Sequence, residues 1–163
     1  MNTDPEIRKD VFTWFGGAAY AVQCFEVELC TLLLLVRRLK NPSTTPQQLE
    51  DLDTKLSKKT LGRLLLELGK HLTVHPDFQA MLNSYLDRRN YLMHRFFFDH
   101  ALDLLSSTGC QMMVSELRDI HASLKEADQI AQAMSANVRK KLGISEDQIL
   151  ALVSAELQRF TNE

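Results

Sequence analysis

The chain is predicted to be an all-α helical bundle, and three observations carry that expectation. Apolar residues recur at steps of three and four along most of the 163 residues. Helix-start and helix-stop signatures stand at the ends of those periodic runs. No run alternates with the two-residue period of a strand.

The first helix is expected over about residues 5 to 39. Asp4 suits an N-cap with Pro5 at N1, and Trp14, Ala18, Val22, Phe25, Leu29, Leu32 and Val36 form its apolar stripe. It stops before "NPSTTP", where Thr45, Pro46 and Gln48 read as N-cap, N1 and N3 of a short helix with Leu49, Leu52 and Leu56 on its apolar side. A third helix is expected from about Lys58 to Leu72, and Pro76 opens a fourth that runs to about His100. "SSTG" at 106 to 109 reads as a turn. Beyond it Met113, Leu117, Ile120, Leu124, Ala127, Ala131, Met134 and Val138 repeat as a heptad seam, in a C-terminal extension over about residues 111 to 160. Gly143 ends that long helix as a C′ residue, and "RKK" at 139 to 141 complements its negative end. Ser145 and Gln148 form the capping box of a final short helix to about Phe160, with Ile144 and Ile149 as its hydrophobic staple. The whole, residues 1 to 163, is expected to be one domain.

Composition narrows the function. Nineteen basic and 21 acidic residues leave a net charge of -2, which excludes a global basic field for coating nucleic acid or binding a membrane surface; anion binding must be local. Cys24, Cys30 and Cys110 lack the paired spacings of zinc or redox sites and read as buried free thiols in a reducing compartment. Asp4, Glu6 and Asp10 stand where a signal peptide would be basic. Gln23, Glu26 and Glu28 interrupt the apolar run from Val11 to Val36, so a buried helix is expected there rather than a membrane span. Together these features point to the cytoplasm.

One helix carries polar groups where a core would be. Leu82, Leu86, Arg89, Met93 and Phe96 follow steps of four and three, which puts Arg89 in the apolar stripe where leucine would be expected. Asn90 and His94, four residues apart, stack on the adjoining edge, so three polar groups converge on one patch. A charge at a core-facing position must be compensated. Either a first-helix carboxylate, Glu26 or Glu28, holds Arg89 in an ion pair, or the patch meets a phosphate, with the guanidinium binding it and the imidazole moving a proton.

The stretch "RRNYLMHRFF" resembles the motif of the HEPN superfamily, an arginine followed four to six residues later by histidine, often with a polar residue directly after the arginine. Arg89, Asn90 and His94 match it in order and spacing; Arg88 satisfies the looser spacing. Arg95 and His100 repeat the spacing, but Phe96 follows that arginine, and this second match is treated as a decoy. The wider similarity, through the apolar first helix and "TLGRLLLEL", covers about residues 10 to 105.

The resemblance implies a helical bundle that dimerises with two motifs face to face, and a metal-independent endoribonuclease without a cofactor. It implies catalytic roles for Arg89, Asn90 and His94; beside them Arg88 and Arg95 are expected to contact RNA phosphates, and Glu26 to belong to the surroundings of the site. It implies RNA, a second copy of the chain, and an antitoxin or defence-system protein as partners. One HEPN toxin subgroup carries a tyrosine two residues after the histidine as the target of a modifying antitoxin; here Phe96 stands there, which argues against that mode of control. A catalytically silent dimerising or nucleotide- or RNA-binding scaffold is the alternative.

Two further patterns carry less. His71 and His75 have the spacing of a metal pair, but Pro76 biases His75 away from helical geometry and no third ligand is evident, so no metal site is expected. The acidic "EDLD" at 50 to 53 reads as a solvated helix face.

Overall fold

The computed structural model describes residues 4–72 and 76–161, and these are all-helical. In chain order the helices are α1 (Pro5–Lys40), α2 (Pro46–Leu56), α3 (Leu61–His71), α4 (Pro76–His94), α5 (Phe96–Asp99), α6 (Ser107–Lys141) and α7 (Glu146–Thr161), with a 3₁₀ turn at Asp103–Leu105. His75 lies outside the described residues.

The helix starts follow local chemistry. Asp4 caps α1 by accepting from the Glu6 N–H, with Pro5 at N1. At α2 the Thr45 N–H donates to Gln48 Oε1 at 3.0 Å and the Gln48 N–H to Thr45 Oγ1 at 3.2 Å, a reciprocal capping box. Ser145 and Gln148 repeat it before α7. Gly143, at φ +72°, closes α6: its N–H donates to the Lys140 carbonyl and that of Ile144 to the Arg139 carbonyl.

Three expected boundaries move. The third helix begins at Leu61 rather than Lys58, because Ser57–Lys59 turn first and Thr60 takes the N-cap position. "SSTG" is not a turn: Ser106 caps α6 by accepting from the Gly109 N–H at 3.0 Å, and residues 107–109 form its first turn. Gly109 is there for close approach, since a Cβ at that position would sit 2.3 Å from the Asp103 carbonyl oxygen. The motif helix does not run to His100. Arg95, at φ -125°, breaks it, although neither proline nor glycine is present. The break lets the consecutive Phe96 and Phe97 both turn inward: Phe96 is fully buried against Tyr91 and His100, and Phe97 packs on Phe15.

Two long helices carry the packing. α1 and α6 run side by side in the same direction, since Asp4 meets Ser107, Trp14 meets Arg118 and His121, and Gly17 lies against His121. Met113, Leu117, Ile120, Leu124, Ala127 and Ala131 of the heptad are buried, and Met134 and Val138 are partly so. The seam is therefore filled by α1 of the same chain and provides no argument for an intermolecular coiled coil. One apolar cluster joins Val11, Ala18 and Val22 to Leu92, Phe96, Met113 and Leu117. The other joins Phe25, Leu29, Leu32 and Val36 to the inner faces of α2, α3 and α4. Cys30 and Cys110 are buried free thiols and Cys24 is half-buried. Among the described residues α1 is the helix long and apolar enough to cross a membrane, but its buried stripe faces α2, α3, α4 and α6.

Candidate functional site

Packing sets α4 so that Arg89 faces α1. The buried stripe of α4 is Leu82, Tyr85 and Leu92, one position removed from the expected Leu86 and Met93; Leu86 is half-buried and Met93 is 44% exposed. Arg89 fills the gap in that stripe between Tyr85 and Leu92. The Tyr85 ring packs edge-on against Phe25 at 6.3 Å between centroids, one turn before Arg89, and so brings the neighbouring Glu26 to the guanidinium.

The geometry collects four residues. Arg89 Nε donates to Glu26 Oε1 at 3.3 Å, with side chains 18% and 26% exposed. Arg89 Nη1 donates to Asn90 Oδ1 at 3.3 Å and stands 3.5 Å from His94 Nε2, the outer limit of a hydrogen bond. Of the two carboxylates expected as partners, Glu26 holds Arg89; Glu28 Oε1 is buried without a partner among the described residues. Asn90 and His94 are exposed. Chemically, Glu26 balances the guanidinium on its Nε side while Nη1 faces the exposed edge where Asn90 and His94 stand. That edge can accept a phosphate.

Arg88 and Arg95 are not brought to this patch. Arg88 lines an open groove between α4 and α6, beside Asp87, Glu116 and Glu126. Arg95 pairs with Asp99 at 2.8 Å and lies over the Phe98 ring.

The second histidine of the repeated spacing has a different environment. His100 Nδ1 lies 2.7 Å from Asp103 Oδ2, and its Nε2 lies 2.8 Å from Glu116 Oε2 and 3.1 Å from the Tyr91 hydroxyl. Acceptors on both ring nitrogens require the doubly protonated ring. Burial works against the charge, yet the hydrogen bonds to Asp103 and Glu116 and their negative charges prevail, so the pKa stands above its ordinary value. Burial, with Glu116 adding, pushes the Tyr91 phenol up to about 12. The carboxylates occupy opposite edges of the ring and so cannot converge with it on one ion. This bridge between α4, the 3₁₀ turn and α6 was not expected; the Asp103 spacing hints at it, but the meeting with Glu116 depends on how α6 packs against α4.

The fold and site thus define an all-α helical bundle in which a half-buried arginine, backed by a carboxylate, stands beside an exposed asparagine and histidine. No family model matches the chain, and neither a curated protein nor a solved structure matches it at a significant level.

Proposed function

We propose that the chain is an endoribonuclease of HEPN type that cleaves RNA phosphodiesters without a metal ion. The observation that supports this best is the Glu26–Arg89–Asn90–His94 cluster, in which the guanidinium is oriented from behind and its outer edge adjoins an accessible imidazole. In the reaction the RNA 2′-hydroxyl attacks the adjacent phosphorus while His94 takes its proton. The bond from phosphorus to the 5′-oxygen breaks, that oxygen is protonated, and a 2′,3′-cyclic phosphate remains. Arg89 stabilises the charge developing on the phosphoryl oxygens, and Asn90 orients the substrate. A homodimer, facing the two motifs together, would let one His94 act as base and the other as acid. The setting is a cytoplasmic toxin–antitoxin or antiphage system, with an inhibitor or defence protein as partner; Arg88 and Arg95 contact more distant phosphates.

The Arg89–Glu26 pair also favours a second reading, a silent scaffold in which the guanidinium serves only α1–α4 packing. The separating experiment incubates the purified protein and its His94→Ala variant with mixed RNA in EDTA. Cleavage by the first alone, leaving 2′,3′-cyclic ends, supports the enzyme; no cleavage by either favours the scaffold. Light scattering on the same samples tests the dimer, and a monomeric mass removes the shared acid and base.

A further inference from the structure

A cavity of about 320 Å³ opens between α1, α2 and α3, well apart from the Arg89 cluster. Arg37, its α1 contribution, lies eleven residues beyond Glu26, about 16 Å along the helix axis. The volume falls within the range of small-molecule sites, about 300–1,000 Å³. Leu33, Leu52 and Leu56 form an apolar wall, and the rest of the lining is polar: the basic Arg37, Lys55 and His71, the carboxylates Asp51 and Glu67, and Thr44 and Gln48.

The charges at this cavity are unevenly engaged. Glu67 is bound by Lys70 and lies 3.7 Å from Lys59, while Asp51 accepts from Gln47 Nε2 at 3.3 Å. By contrast, among the described residues the Arg37 guanidinium and the Lys55 ammonium have no hydrogen-bond or ion-pair partner. Gln48 also lines the cavity; its Oε1 is taken by the Thr45 N–H, which leaves its Nε2 as a donor. Glu67 is held below the usual carboxylate range chiefly by its Lys70 hydrogen bond, against burial, with Lys59, Lys70 and His71 adding attraction. Two unpaired cations, a spare amide donor and an apolar wall in one concavity match a compact dianion attached to a small carbon skeleton.

We propose that this cavity binds a small phosphomonoester the size of a sugar phosphate, its phosphate between Arg37 and Lys55 and its carbon skeleton against Leu33, Leu52 and Leu56. The cavity is a compact, half-open concavity bordered by three helices, which suits a small molecule better than an RNA strand, whose phosphates need an extended track. The site shares no residue with the Arg89 cluster, so the proposal stands or falls independently of RNA cleavage.

Isothermal titration of the full chain with ribose 5-phosphate, with ribose as the uncharged control, tests it. Saturable binding of ribose 5-phosphate and none of ribose is expected. The Arg37→Gln/Lys55→Gln variant should bind about tenfold or more weakly, a loss of at least about 1.4 kcal/mol, with a small loss of melting temperature at most, because both side chains are exposed but stand in the last turns of α1 and α2. Absence of binding up to roughly 10 mM, weaker than any affinity worth assigning, overturns the proposal, as does unchanged affinity in the double variant. A single-stranded RNA that loses binding in the double variant while ribose 5-phosphate does not bind at all would also overturn it, by assigning the cations to an RNA path.

Discussion

Replacing Arg89 with alanine removes one guanidinium from two environments at once. On the α1 side it leaves the Glu26 carboxylate without its 3.3 Å partner; on the open side it removes the donor facing Asn90 and His94. The pair is neither buried nor free, at 18% and 26% side-chain exposure. Breaking a buried pair costs about 3–5 kcal/mol, and an exposed pair is worth about 0–1 kcal/mol. Solvent reaches both partners here, so the expected loss is about 1–2 kcal/mol, which for a chain of this size lowers the melting temperature by about 2–8 °C. Cleavage should fall far more, by about 10²–10³-fold, as expected when a donor to a developing oxyanion is removed. Thermal melts beside RNA cleavage in EDTA read both effects. Adding Glu26→Gln should recover part of the stability and none of the activity, because the stranded charge is gone but the phosphate contact is not restored. Undiminished cleavage by Arg89→Ala refutes the phosphate role. Global unfolding refutes it differently, by showing that the ion pair with Glu26 is the reason the arginine stands in the stripe.

His94→Ala should abolish cleavage in a folded protein and Asn90→Ala should reduce it partially, whereas His100→Ala should keep activity; equal loss in His100→Ala would show that the wrong histidine was chosen. The His100 bridge makes stability depend on pH. Its folded pKa lies above the ordinary 6.5, so its contribution is complete below that value and is lost as pH rises through the folded pKa. Between about pH 6 and about pH 8 the wild type should therefore lose more melting temperature than His100→Gln, and parallel curves would refute the bridge. Gly109→Ala forces a Cβ against the Asp103 backbone and should cost about 2–3 kcal/mol. Gly16→Ala, at an exposed position of α1 with nothing within 4 Å, should gain about 0.5–1 kcal/mol; denaturant melts compare the two.

What was legible in the sequence was local. Asp4, Thr45 with Gln48, Gly143 and Ser145 with Gln148 act on backbone groups within a few residues, so the spacing alone places those helix ends. Arg95 breaks a helix for the sake of two phenylalanines that must reach the same core, and no local signal marks it. Gly109 reads as a turn because its reason, the Asp103 backbone, is apparent only in three dimensions. The convergence of Arg89, Asn90 and His94 follows from helical spacing within α4. The choice of Glu26 over Glu28 depends instead on how α1 is rotated against α4, and that rotation is set by contacts such as Phe25 on Tyr85. The α4 stripe could be drawn through Leu86 and Met93 or through Tyr85 and Leu92; only packing decides between them.

The side-by-side, same-direction pairing of α1 with α6 has a consequence during synthesis. The contact between Asp4 and Ser107 spans 103 residues of chain, so the part of the apolar face of α1 that α6 covers leaves the ribosome long before its cover exists. At about 5–20 residues per second the delay is about 5–20 s. A 36-residue helix with a continuous apolar stripe must wait that long in a nascent chain, where it is a ready substrate for chaperones that hold exposed hydrophobic segments. Pairing over so long a loop also makes the fold slow to form by the standards of helical bundles, most of whose contacts are local. A chain truncated anywhere before α6 would expose the same surface permanently, and aggregation rather than a smaller folded domain is its expected fate.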